Sequence, residues 1–211
     1  MIGVKDLSYS SILDSISFSL DEGKTLAVIG HNGAGKTTLF HVLLGLKFAT
    51  TGEFEISETK YGFVPERPYL AMEESFRAFL TVHLNLISFP KNEQESEIQR
   101  VAQQVGLQDE LHKKFKQFSK GMLQKSLIAQ AMLGSPKLIF LDEPMSGLDP
   151  SSREETKKYL EQLKAGGVTL IFSSHVMEDV AALADQVLVL NQGKQTFFGS
   201  IQDWKRGGIA P

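Results

Sequence analysis

Three glycines, an ammonium and a hydroxyl are gathered in the eight residues Gly30-His31-Asn32-Gly33-Ala34-Gly35-Lys36-Thr37. The spacing Gly-x-x-x-x-Gly-Lys-Thr is that of a phosphate-binding loop. Glycines permit backbone conformations in which successive N–H groups point inward at phosphate oxygens. A helix starting near Lys36 would add the positive end of its dipole. Lys36 is expected to set its ammonium against the β- and γ-phosphates of ATP, and Thr37 to offer its hydroxyl to Mg²⁺. Thr38 is expected to join the nucleotide contacts.

A second constellation stands a hundred residues on. The apolar run Leu138–Leu141 ends in Asp142-Glu143. Neighbouring carboxylates on a strand point to opposite sides, so they can divide the work. Asp142 suits Mg²⁺, usually through water, and Glu143 suits polarising an attacking water.

These groups need elements to hold them. The run Thr25–Ile29 reads as a buried strand ending at Gly30, and the spacing of Leu39, Val42, Leu43 and Leu46 predicts a helix behind the loop. Further buried strands are predicted at residues 138–141, 168–172 and 187–190, the last before the turn Asn191-Gln192-Gly193, with helices at 151–165 and 175–184. Alternating strands and helices imply a mostly parallel sheet covered on both faces. Residues 4–9, 16–20, 53–56 and 61–64 alternate in the manner of antiparallel strands. Residues 69–134 carry only helical spacing, which predicts a helical insertion between two strands of an α/β core.

Composition sets the bounds. The 211 residues suffice for one sizeable α/β domain, and 22 basic against 25 acidic side chains give a net charge of −3. That balance argues against a general nucleic-acid binder. No apolar run is long enough to cross a bilayer. The start of the chain lacks the basic and apolar segments of a signal peptide, and the cysteine count is zero, both compatible with the cytoplasm. Membrane association would then require a separate partner. The cluster His112-Lys113-Lys114-Phe115-Lys116 reads as a solvated helix end, Lys157-Lys158 as part of a charged helix face, and Trp204 as packing near a frayed C-terminus.

Further motifs follow in order. After Asp142-Glu143-Pro144 comes Met145-Ser146-Gly147-Leu148-Asp149-Pro150; Ser173-Ser174-His175 closes the next strand; Phe118-Ser119-Lys120-Gly121-Met122 precedes a helical stretch; and Tyr9 sits in Leu7-Ser8-Tyr9. Together with the phosphate loop, these pieces resemble the ATP-binding subunits of ABC transporters over nearly the whole chain. The resemblance implies a P-loop NTPase core with a small antiparallel β subdomain, in one domain with the helical insertion. It implies a head-to-tail dimer, of this chain or with a similar subunit, that holds two ATP molecules in its interface. Ser119 and Gly121 would then meet the γ-phosphate of the partner's nucleotide, Tyr9 would stack on adenine, and His175 would sense the γ-phosphate. It also implies a separate integral-membrane permease, with this chain peripheral on the inner face of the membrane. Cargo contacts would lie in the permease.

The departures from the family pattern also inform. Lys120 and Met122 stand where many members have Gly and Gln, and Glu66, in Pro65-Glu66-Arg67-Pro68, stands where the family usually has a metal-ligating Gln. Residues 37–66 are few for the family, implying a trimmed antiparallel β subdomain. The variant motifs resemble the ATPases of ABC-2-type permeases, mostly exporters. Two alternatives stay open at this level: a soluble ABC-type ATPase acting on ribosomes or DNA, and a regulatory subunit that binds ATP but hardly hydrolyses it.

Overall fold

The structure, a computed structural model, describes residues 1–207. In chain order the strands are β1 (Ile2–Tyr9), β2 (Leu13–Leu20), β3 (Thr25–Ile29), β4 (Thr51–Ile56), β5 (Tyr61–Val64), β6 (Leu138–Leu141), β7 (Thr169–Ser174), β8 (Gln186–Asn191) and β9 (Lys194–Ser200). The α-helices are α1 (Lys36–Leu43), α2 (Phe76–Leu86), α3 (Gln94–Gln104), α4 (Lys120–Ala131), α5 (Pro150–Ala165), α6 (Met177–Leu183) and α7 (Ile201–Gly207).

The runs with no polar interruption become the centre of the sheet. Every residue of β3, β6 and β7 is buried, as expected of parallel strands covered on both faces. The sheet order is β4-β1-β2-β9-β8-β3-β7-β6-β5, with β8, β3, β7, β6 and β5 parallel and β1 antiparallel to both β2 and β4. Successive residues feed opposite faces. Ala27, Ile29, Ile139, Leu141, Leu170 and Phe172 pack beneath the helical insertion, whereas Leu26, Val28, Phe140 and Ile171 pack with Leu39, Phe40 and Val42 of α1. Each such fully buried large side chain contributes about 1.5–3 kcal/mol.

Three differences from the sequence reading have clear causes. Tyr61–Val64 is not antiparallel: β5 runs parallel to β6, from Tyr61 beside Leu138 to Val64 beside Leu141. Its alternation of exposed and buried residues reflects its place at the sheet edge, half-covered by α4, and not its direction. Strand β9 escaped notice because Gln195, Thr196 and Gly199 dilute its apolar signal; it closes a hairpin on β8 through Gln192-Gly193, both left-handed at φ 48° and 78°. Helix α6 begins at Met177, leaving His175 in the link after β7. The helices α2, α3 and α4 do lie between β5 and β6.

The basic cluster is half-exposed and also ion-paired: Lys113 meets Glu110, and Lys114 and Lys116 both meet Glu73. Lys157 pairs with Glu154 on its helix face. Trp204 packs, being 8% exposed on α7.

Candidate functional site

The site forms where the carboxyl ends of β3, β7 and β6 stand side by side. This is where open α/β sheets hold their ligands. The loop leaving β3 is left-handed at Gly33 and Gly35, with φ 85° and 106°, which side chains with a Cβ rarely adopt. Helix α1 then starts at Lys36, so its free N–H groups face the loop. His31 reaches across to Asn191, with Nε2 3.2 Å from Oδ1. Residues 32–38 line a cavity of about 510 Å³ together with Ile12, Glu66, Arg67 and Glu143.

Asp142 is 1% exposed, and both its oxygens are used. Thr37 Oγ1 donates to Oδ2 at 2.6 Å, and Ser173 Oγ donates to Oδ1 at 2.5 Å. Ser173 also accepts the backbone N–H of Glu143 at 2.8 Å. One buried hydroxyl on β7 thus fixes both acidic positions. The sequence reading took Ser173 only as the neighbour of His175. Its signal was there: a hydroxyl at the end of an otherwise apolar strand must find a partner.

Glu143 sits at φ 49°, a left-handed conformation that costs a non-glycine residue about 1–3 kcal/mol. Its side chain bridges two other singled-out groups. Oε1 lies 3.3 Å from Lys36 Nζ, and Oε2 lies 2.9 Å from His175 Nδ1. The Lys36–Glu143 pair is nearly buried, at 7% and 9% side-chain exposure, while His175 is half open to solvent. Glu143 Oε1 makes no hydrogen bond, so its contact with Lys36 is an ion pair only. The ammonium instead donates to Gly30 O at 2.8 Å and His31 O at 3.4 Å.

The donor set fits Mg²⁺. It consists of hard oxygens, Thr37 and Asp142, beside a loop built for phosphate. No cluster of three or more His, Cys, Asp or Glu that could hold a metal exists among the described residues.

Other singled-out residues lie elsewhere. Glu66 is on the cavity lip, paired with Arg67. Tyr9 is half-buried, with Lys47 Nζ 5.0 Å above its ring; it does not line the phosphate cavity, whereas Ile12 does. Ser119 and Gly121 are also outside that cavity. Ser119 caps α4, accepting the N–H of Met122 at 3.2 Å, and is exposed. Gly121 lets α4 approach α5: a Cβ there would lie 2.4 Å from Ser152 Oγ. Asp149 caps α5 and accepts from Ser152 N and Oγ, which holds its carboxyl below the usual carboxylate range. Ile12 and Arg67 went unread because neither belongs to a motif.

Comparison with known proteins gives the family. The sequence profile of the ABC transporter family matches residues 13–146, and the chain belongs to that family. Its fold is that of the family's nucleotide-binding domain. An ABC transporter ATP-binding protein of Nostoc sp. is 36% identical over 90% of this chain and 60% of its own length. The lantibiotic transport ATP-binding protein SrtF of Streptococcus pyogenes is 35% identical over 92% of this chain and 88% of its own. A solved ATP-binding subunit of an ABC transporter superposes with a TM-score of 0.85 at 29% identity, covering 98% of this chain and 92% of that one. The chain spans only 60% and 57% of the first curated relatives it matches.

Proposed function

We propose that this chain binds and hydrolyses Mg·ATP to power a separate integral-membrane permease, as an exporter of ABC-2 type. The observation that carries the hydrolytic reading is the connected set Thr37–Asp142–Ser173 and Lys36–Glu143–His175 at adjacent strand ends. In this reading the loop 30–37 and Thr38 cradle the phosphates, and Lys36 leaves Glu143 for the β- and γ-phosphates. Thr37 and Asp142 hold Mg²⁺, which neutralises phosphate charge, and Glu66 adds a carboxylate from the lip. Glu143 accepts hydrogen bonds from, and so orients, the attacking water. His175 holds the γ-phosphate and Glu143 in register. Tyr9 offers a ring for adenine once Lys47 moves aside.

Ser119 and Gly121 serve a nucleotide on a second subunit. The exposure of Ser119 at the α4 N-terminus, away from its own phosphate loop, supports a head-to-tail dimer. The permease would dock beside the Glu66 loop, where Tyr69 is 95% and Met72 50% exposed along a groove shared with Lys120 and Leu123. No helix among the described residues is long and apolar enough to cross a membrane. In this reading the chain attaches peripherally, through its permease, at the cytoplasmic face. Transport is supported by the lantibiotic-transport relative, and export by the Glu66 and Ser119-Lys120-Gly121-Met122 variants.

The test is ATP turnover of the purified protein, with its partner, beside Glu143→Gln. The variant is expected to lose hydrolysis by about 10²–10³-fold and to accumulate as an ATP-bound dimer. A wild type without hydrolysis would end the motor reading. The polypeptide that co-purifies from detergent-solubilised membranes tests the rest; recovery of ribosomes in its place would overturn the permease.

A further inference from the structure

Glu66 presents a difficulty that the reading above leaves unsolved. It puts a carboxylate on the lip of a cavity whose other walls are built for a triphosphate. A like charge in that position opposes binding. Among the residues lining the cavity, the cations are Lys36 and Arg67, and the anions are Glu66 and Glu143. Lys36 is already engaged by Glu143. Of these two cations, Arg67 is the one paired with Glu66.

Resting on the reading that this cavity takes ATP, we propose that Arg67 is the counter-charge that lets Glu66 face a triphosphate, the two acting as one unit. Arg67 Nε stands 3.7 Å from Glu66 Oε1, with the arginine side chain 91% and the glutamate 42% exposed. The separation exceeds a hydrogen bond and the setting is wet, so the pair itself holds weakly. It leaves the guanidinium free to remain at the lip or to turn toward phosphate. The flanking backbone is stiff. Pro65 and Pro68 bracket the two residues, Pro65 fixing its own φ and Pro68 disfavouring the helical region for Arg67. Adjacent side chains on a stiff, exposed turn thus deliver opposite charges to one rim. The loop offers an acid for metal or water without adding net negative charge.

The experiment measures equilibrium binding of ATP, ADP and AMP without Mg²⁺ to wild type, Arg67→Ala, Arg67→Lys, Glu66→Gln and the Glu66→Gln/Arg67→Ala double variant. Arg67→Ala should weaken ATP about tenfold, ADP less and AMP least, because the effect grows with phosphate charge. Arg67→Lys should stay within about twofold of wild type, and the double variant should recover to a similar margin. Equal binding by Arg67→Ala, or a double variant as weak as Arg67→Ala, overturns the counter-charge. So does an Arg67→Lys variant as weak as Arg67→Ala. If the wild type itself binds no ATP, the parent reading fails instead. Circular-dichroism melting confirms that each variant is folded, as expected for so exposed a side chain.

Discussion

The ends of the central strands and the outer face of the helical insertion differ in how complete they are. At the strand ends, Thr37, Asp142, Ser173, Lys36 and Glu143 are bonded or ion-paired to one another and largely sealed from solvent. On the insertion, Ser119 bonds only to its own helix, Lys120 is exposed, and Tyr69 projects almost entirely into solvent. One region is finished within the chain. The other presents exposed groups with few partners among the described residues. Buried polar groups must satisfy one another, so the first region is rigid. The second can acquire its partners only by association.

The contrast can be broken most forcefully at Lys36. Lys36→Ala should lower ATP turnover by about 10³-fold or more, since it removes the buried cation of the phosphate loop and leaves Glu143 Oε1 without its ion pair in a nearly dry site. A turnover assay showing less than a tenfold loss would mean that the strand-end cluster is not the hydrolytic site. Ser119→Ala should cost about 10²-fold in turnover while leaving ATP affinity of the separate subunit unchanged. Mixing it with Lys36→Ala subunits should restore hydrolysis that neither preparation has. Absence of complementation would return Ser119 to a helix cap alone.

Smaller effects sharpen the picture of the helices that carry the two regions. Glu97 on α3 is buried, accepts from Arg100, and accepts the Gly134 N–H at 2.7 Å. Burial pushes its carboxyl up, but the guanidinium and the N–H outweigh it and leave it below the ordinary glutamate range. Glu97→Gln should destabilise by about 1–3 kcal/mol in urea titrations at neutral pH. Because the folded-state pKa is depressed, that contribution is present above the unfolded pKa and is lost as pH falls through the folded one. Wild type and variant should therefore converge in acid. Tyr159→Phe should be the mildest change, within about 0.5 kcal/mol by thermal melting, since its buried hydroxyl has no partner. Burial alone drives that phenol up to about 12.

The same contrast governs what the sequence reveals. The strand-end site was legible because its residues are local motifs at the ends of uninterrupted apolar runs, and both properties are written in one dimension. Strands β3, β6 and β7 could be placed almost to the residue for that reason. What escaped depends on neighbours distant in sequence. The direction of β5 is set by β6 and the covering helix, and β9 is held by its hairpin partner and not by its own composition. The clamp from Ser173 needs the knowledge that β7 lies between β3 and β6. The counter-charge at Arg67 needs the cavity, because an arginine between a glutamate and a proline is otherwise unremarked.

That same sheet order, with β7 inserted between β3 and β6, sets how the molecule should fail on heating. The groups of the site stand at or just beyond the ends of β3, β7 and β6, whose spacing is fixed by hydrogen-bonded pairing. Hydrolysis and global structure should therefore disappear in a single transition, with no warm, folded but inactive state between them. Nucleotide should move that transition upward by mass action, adding about 2.7 kcal/mol at a hundredfold excess over its dissociation constant. An inactive protein whose sheet still melts cooperatively at its original temperature would place the weak point outside the strand ends, in the association that completes the site.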